Sequence, residues 1–202
     1  MKGKQVTYNS PLAHGGDLRK GKRKTARPLI VKCPVHLVLR SSIALANWSL
    51  LASRNVKRVD TCVRESSKRF NVKIHRFVNV GNHLHLLVKA QRKKDFQDFL
   101  RYLSGQIAMI VTRARKGCSV LKLAGTTKQR REFFAGISIP EGVRFWDQLA
   151  FTRVVSLDKD FDRVLNYLEL NFLESLGVIN RKDYKRTPQI FGDIREILGN
   201  TS

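Results

Sequence analysis

The stretch Gly81-Asn82-His83-Leu84-His85-Leu86-Leu87-Val88 sets the terms on which the rest of the chain is read. Successive side chains of a strand point to opposite faces, so residues two apart share one face. On a strand, His83 and His85 project side by side, while Leu84, Leu86 and Val88 point into whatever packs behind. Two imidazoles so placed can share one divalent ion if other segments complete the ligand set. They can equally be two half-exposed histidines on a sheet surface, so the decision falls to the surrounding chain.

Residues 72–79 alternate and form a hairpin with the histidine strand through the turn near Gly81-Asn82. A two-residue loop sets Val78 and Arg76 beside the histidines. A three-residue loop, residues 80–82, sets Ile74 and Val78 behind with Leu84 and Leu86. A one-residue slip inverts every side chain, and an apolar core face favours the three-residue loop. Arg76 is then unexplained. Upstream, residues 35–40 alternate after Pro34 and form the first strand, with His36 on the side of Val38 and Arg40 as a hydrogen-bonded sheet histidine. His14 and His75 receive no role.

Val56, Val59, Val63 and Phe70 recur near helical spacing and predict an amphipathic helix over 53–70 with a basic outer face. Trp48, Leu50 and Leu51 either begin that helix or cover the core from a loop. A second helix, over 94–115, follows from Phe96, Phe99, Leu103, Ile107 and Val111. Gly105 inside it costs up to ~1 kcal/mol relative to alanine, which reads as a place of close packing. Residues 116–143 are irregular and basic. A strand over 151–155 precedes a last helix over 158–176, where Tyr167 and Asn171 stand one turn apart at the edge of an apolar stripe. Strand, helix, hairpin, helix, strand, helix predicts an α+β protein: a ferredoxin-like antiparallel sheet with helices on one face, flanked by basic tails.

Charge names the partner. Thirty-nine Lys and Arg against 16 Asp and Glu give +23, which calls for a polyanion, nucleic acid ahead of a membrane surface. No apolar run reaches the ~18 residues of a membrane span, and the first residues lack the apolar segment of a secretory signal. Three widely spaced cysteines make no disulfide framework or zinc motif and fit a cytoplasmic protein. Residues 1–28 read as an arm, disordered when free, whose Arg19, Lys20, Lys22, Arg23, Lys24 and Arg27 neutralise DNA phosphates. Residues 29–180 make one domain, and residues 181–202 a basic C-terminal tail.

These residues resemble a known family. His83-Leu84-His85 is similar to the HUH signature, and Tyr167-Leu168-Glu169-Leu170-Asn171 to the Tyr-x-x-x-Asn/Gln pattern of single-tyrosine HUH transposases, above all the REP-associated tyrosine transposase branch. The likeness runs from about residue 28 to residue 177. It departs at Val80-Gly81-Asn82, where many relatives have Met-Pro-Asn, and at Asn171-Phe172-Leu173, where they have Asn-Pro-Val. The resemblance implies that residues 29–180 are a catalytic domain in which His83, His85 and Asn171 hold Mg2+ or Mn2+. It implies that Tyr167 attacks single-stranded DNA near a hairpin to give a 5′-phosphotyrosine link, in a cytoplasmic, nucleoid-associated monomer or homodimer. Asp147 and Glu174 are candidates to support that site. The competing expectation is a non-catalytic nucleic-acid-binding protein derived from the same fold. An RNA-binding protein of ribosomal type would explain the charge but not the pairing of two histidines with a tyrosine.

Overall fold

Five strands form one sheet in the order β1-β5-β2-β4-β3, every neighbouring pair antiparallel. The structure is a computed structural model that describes residues 12–23, 25–113, 144–156 and 159–180. In chain order the elements are β1 (Ala13–His14), β2 (Val35–Arg40), α1 (Ser53–Arg69), β3 (Val72–Asn79), β4 (His83–Ala90), α2 (Lys93–Thr112), β5 (Phe151–Val154) and α3 (Lys159–Ser175). Without β1, the run β2-α1-β3-β4-α2-β5 is the ferredoxin-like arrangement the sequence predicts. Residues 114–143 and the tail at 181–202 lie outside the described residues.

Helices α1 and α2 cover one face of the sheet. Leu37 and Leu39 of β2 and Leu84, Leu86 and Val88 of β4 meet Val59 and Val63 of α1 and Phe96, Phe99, Leu103 and Ile107 of α2 in one cluster. Each such side chain, fully buried, contributes roughly 1.5–3 kcal/mol. Trp48 sits in a short 3-10 turn, Ala46–Trp48, and with the fully buried Leu50 covers this core from a loop rather than beginning α1. At the end of α2, Arg113 takes the left-handed conformation, φ 59°, and stops the helix. Gly105 is exposed, and a Cβ there would meet nothing within 4 Å, so no close packing requires it.

The last helix lies on the other face. Val164 and Leu168 of α3 pack with Val78, Leu87 and Val155 in a second cluster, so the sheet is apolar on both sides at its centre. This placement corrects the predicted hairpin. Val80 N–H donates to His83 O, leaving Gly81 and Asn82 as a two-residue loop with Gly81 at φ +92°. Val78 therefore pairs with His85, and Phe77 with Leu86. An irregularity between Ile74 and Arg76 takes up one extra residue, so Ile74 still pairs with Val88 and faces the helices. The sheet is buried on both faces, so an apolar Val78 finds a core on the α3 side as well. Arg76 is explained at the same stroke: its guanidinium forms an ion pair with Glu169 of α3, Nη2 donating to Oε2 at 2.7 Å, and lies over the Phe172 ring.

The predicted arm also needs correction over its described part. Ala13 and His14 pair with Arg153 and Thr152 and add a fifth strand beside β5. The buried His14 ring bonds Thr25 O at 3.1 Å. Arg27 donates to Ala150 O and to the Thr152 hydroxyl, and burial lowers its pKa to about 10. Arg27 is thus tied to the β5 edge, which offers acceptors that a tally of charge cannot see. Lys20, Lys22 and Arg23 are exposed on the loop; the side chain of Arg19, and Lys24, lie outside the described residues. Among the described residues, no helix is long and apolar enough to cross a membrane.

Candidate active site

His83 and His85 share the α3 face of β4, with ring centroids 4.7 Å apart. The Nδ1 of His83 lies 2.6 Å from Asn82 Oδ1, and an amide oxygen only accepts, so this nitrogen carries the proton. His85 Nδ1 lies 3.3 Å from His36 Nε2, across a strand pair that sets His36 beside Leu87 and Val38 beside His85. The two rings stack at 5.5 Å and 15°. His36 is buried, and desolvation, with the nearby Arg153 charge adding to it, lowers its pKa to about 4. It is a neutral ring that can accept from His85. With Nδ1 so engaged on both rings, Nε2 is the nitrogen through which each can ligate an ion.

Tyr167 comes to this pair from α3. Its ring stands edge-on to His85 at 5.6 Å and to His36 at 5.9 Å. The rotation of α3 about its axis is fixed by the Val164 and Leu168 contacts, by Arg76–Glu169, and by Arg153, which bonds both oxygens of Asp160 at 3.0 Å. Asn171 is buried one turn after Tyr167, and its amide nitrogen donates to Tyr167 O at 2.6 Å. The amide oxygen is its remaining acceptor.

A cavity of about 590 Å3 joins His36, His83, His85, Arg153 and Tyr167 on one side with Asp17, Asp147 and Gln148 on the other. Of the predicted site residues, His83, His85 and Tyr167 meet here. Asn171 does not line the cavity, and Glu174 is exposed at the end of α3. Asp147 accepts from the Ser42 N–H and hydroxyl at 2.7 and 2.8 Å and stands 3.8 Å from Arg40. Among the described residues no group of three or more His, Cys, Asp or Glu could hold a metal ion. Of the predicted ligands, the cavity itself presents the imidazoles of His83 and His85, nitrogen donors that suit Mn2+ better than Mg2+. Sequence reading passed over Arg153 and Asp17, and it gave His36 no part in orienting His85. The parity of His36 with Arg40 on a strand was the available signal.

The comparisons with known proteins agree with this architecture. The family model described as transposase IS200 like matches residues 30–139, more than half of the chain. The chain belongs to that family. The match contains His36, His83 and His85 and ends before β5 and Tyr167. Among solved structures, a REP-associated tyrosine transposase bound to a REP hairpin is similar over 89% of this chain and 88% of that one, at 12% identity and a TM-score of 0.50. A transposase candidate from Deinococcus radiodurans R1 is similar over 74% of this chain and 98% of its own, at 13% identity and a TM-score of 0.36. At 12% identity the likeness to the first of these is one of fold. No curated protein matches the chain.

Proposed function

We propose that this transposase cleaves and rejoins single-stranded DNA beside a hairpin through a covalent bond to Tyr167, in the manner of the REP-associated branch. The observation that carries the reading is the meeting of Tyr167, from one end of the chain, with His83 and His85 in one cavity. His83, His85 and Asn171 would hold Mg2+ or Mn2+, which when bound polarises the scissile phosphoryl group and offsets its developing charge. Tyr167 attacks phosphorus, the P–O3′ bond breaks, the phenolic proton leaves and the departing O3′ takes one up. The product is a 5′-phosphotyrosine and a free 3′-OH, and attack by a 3′-OH on that link reverses the step and rejoins the strand.

A neutral phenol is a weak nucleophile until its proton leaves. Arg153, 12% exposed at its side chain and lining the same cavity, supplies positive charge where phenolate and phosphate charge accumulate. His36 acts on His85 and so holds the ligating ring in one tautomer. Residues 29–180 are the catalytic unit in this reading, and Lys20, Lys22 and Arg23 add salt-sensitive affinity for the backbone of the DNA.

The test is incubation with labelled hairpin-bearing single strands and Mn2+, followed by denaturing electrophoresis. A protein–DNA adduct is expected from the native chain and none from Tyr167→Phe. Equal adduct from Tyr167→Phe would remove Tyr167 from its role.

A further inference from the structure

The cavity is larger than a tyrosine hydroxyl, one phosphate and an ion require. About 590 Å3 lies within the range of sites that enclose a whole small molecule. Its far wall is built from two segments distant in sequence. Gly16 N–H donates to Leu149 O at 2.8 Å, Gln148 Nε2 donates to Asp17 Oδ1 at 2.6 Å, and β1 pairs with β5 immediately behind. Gly15, at φ +87°, lets the backbones approach so closely that a Cβ would fall 2.0 Å from Ala150 O. This wall is pre-organised by backbone contacts, as a specificity surface must be.

Its chemistry is unexpected for a phosphate track. In a chain of net charge +23, an exposed carboxylate, Asp17, lines a cavity read here as a site for a polyanion. A carboxylate there repels the backbone, a cost that hydrogen bonds accepted from base amino groups offset. Beside it stand Leu149, 61% exposed, and the half-buried Phe151, an apolar surface against which a base can lie.

Building on the proposed cleavage reaction, we infer that this wall is a nucleobase subsite for the unpaired nucleotide next to the scissile phosphate. Asp17, held by Gln148, accepts from the exocyclic amino group of cytosine, adenine or guanine and disfavours thymine, which has none. Leu149 supplies contact that does not depend on the base.

The test is a binding selection with the 202-residue chain. Hairpin DNAs carrying a randomised unpaired flank are captured at fixed salt in EDTA, where cleavage is suppressed, and the bound and unbound pools are sequenced. One unpaired position is expected to show about tenfold enrichment of amino-bearing bases over thymine. Asp17→Asn flattens that preference without lowering total binding, and Leu149→Ala weakens every flank alike while the preference persists. The proposal is overturned if the native chain shows no position-specific preference, if Asp17→Asn keeps it, or if Asp17→Asn loses all sequences equally. Tyr167→Phe keeps the preference in this assay. Failure of the adduct assay and failure of this selection are therefore distinguishable.

Discussion

The two faces of the sheet are built on opposite principles. On the α1/α2 face, Leu84, Leu86, Phe96, Phe99 and Leu103 form a continuous apolar cluster, and the buried Asn55 and Ser66 of α1 donate to nearby backbone carbonyls. On the α3 face a small apolar cluster is bordered by three histidines, a tyrosine and two ion pairs that reach from the sheet to the helix. The first face makes the fold stable. The second spends some of that stability to hold polar groups at set distances. Family membership, argued from residues 30–139, covers all of the first helix pair and, on the second face, only what β2, β3 and β4 contribute.

The contrast can be broken experimentally. Cutting into the first face has the largest expected effect on folding: Phe99→Ala should cost about 3–5 kcal/mol by the loss of a fully buried ring. Urea unfolding measures it, and a cost below about 1 kcal/mol would mean that the core is not packed as described. Truncation on the second face should separate stability from binding. His85→Ala should shift the unfolding midpoint less than Phe99→Ala does, while weakening Mn2+ binding by tenfold or more in calorimetry. Unchanged Mn2+ affinity would exclude His85 as a ligand.

Acid should act selectively on the second face. His36 has a folded pKa of about 4 against about 6.5 unfolded, so the unfolded chain binds the extra proton between these values. The contribution of His36 to stability is complete above pH 6.5 and is lost as pH falls toward 4, about 3 kcal/mol in all. Unfolding of the metal-free protein at pH 7 and pH 4.5 should show this loss, and His36→Gln should remove much of the difference. An equal acid sensitivity in the variant would contradict the burial of a neutral ring.

Smaller effects sharpen the picture. Arg76 and Glu169 are about 30% exposed at their side chains, so solvent screening limits their coupling to roughly 1 kcal/mol in a double-mutant cycle. A coupling near zero would leave the apolar contacts alone to orient α3. Gly105→Ala, at an exposed helical position with open space, should stabilise the protein by up to ~1 kcal/mol. Destabilisation would show that the glycine has a packing role.

Several features were legible without coordinates because they depend on local periodicity. The alternation of residues 83–88 placed both histidines on one face, the three- and four-residue steps of Phe96, Phe99 and Leu103 placed α2, and the four-residue step joined Tyr167 to Asn171. The hairpin register was misread because Val78 looks like a residue for the only core, when a helix more than 80 positions later gives it a second one. The anchoring of Arg27 was not legible because a cation shows its charge in sequence and not its acceptors, Ala150 O and Thr152 Oγ1.

The sequence by itself therefore determined the element order, the shared face of His83 and His85, and the need for an anionic partner, since each follows from neighbours along the chain or from composition. Only the tertiary structure decided which face α3 covers, that His36 stacks on His85, and that residues 12–17 close the far wall of the cavity around Tyr167. Those outcomes depend on contacts between segments far apart in the chain, where loop closure and burial choose the partner and local pattern does not.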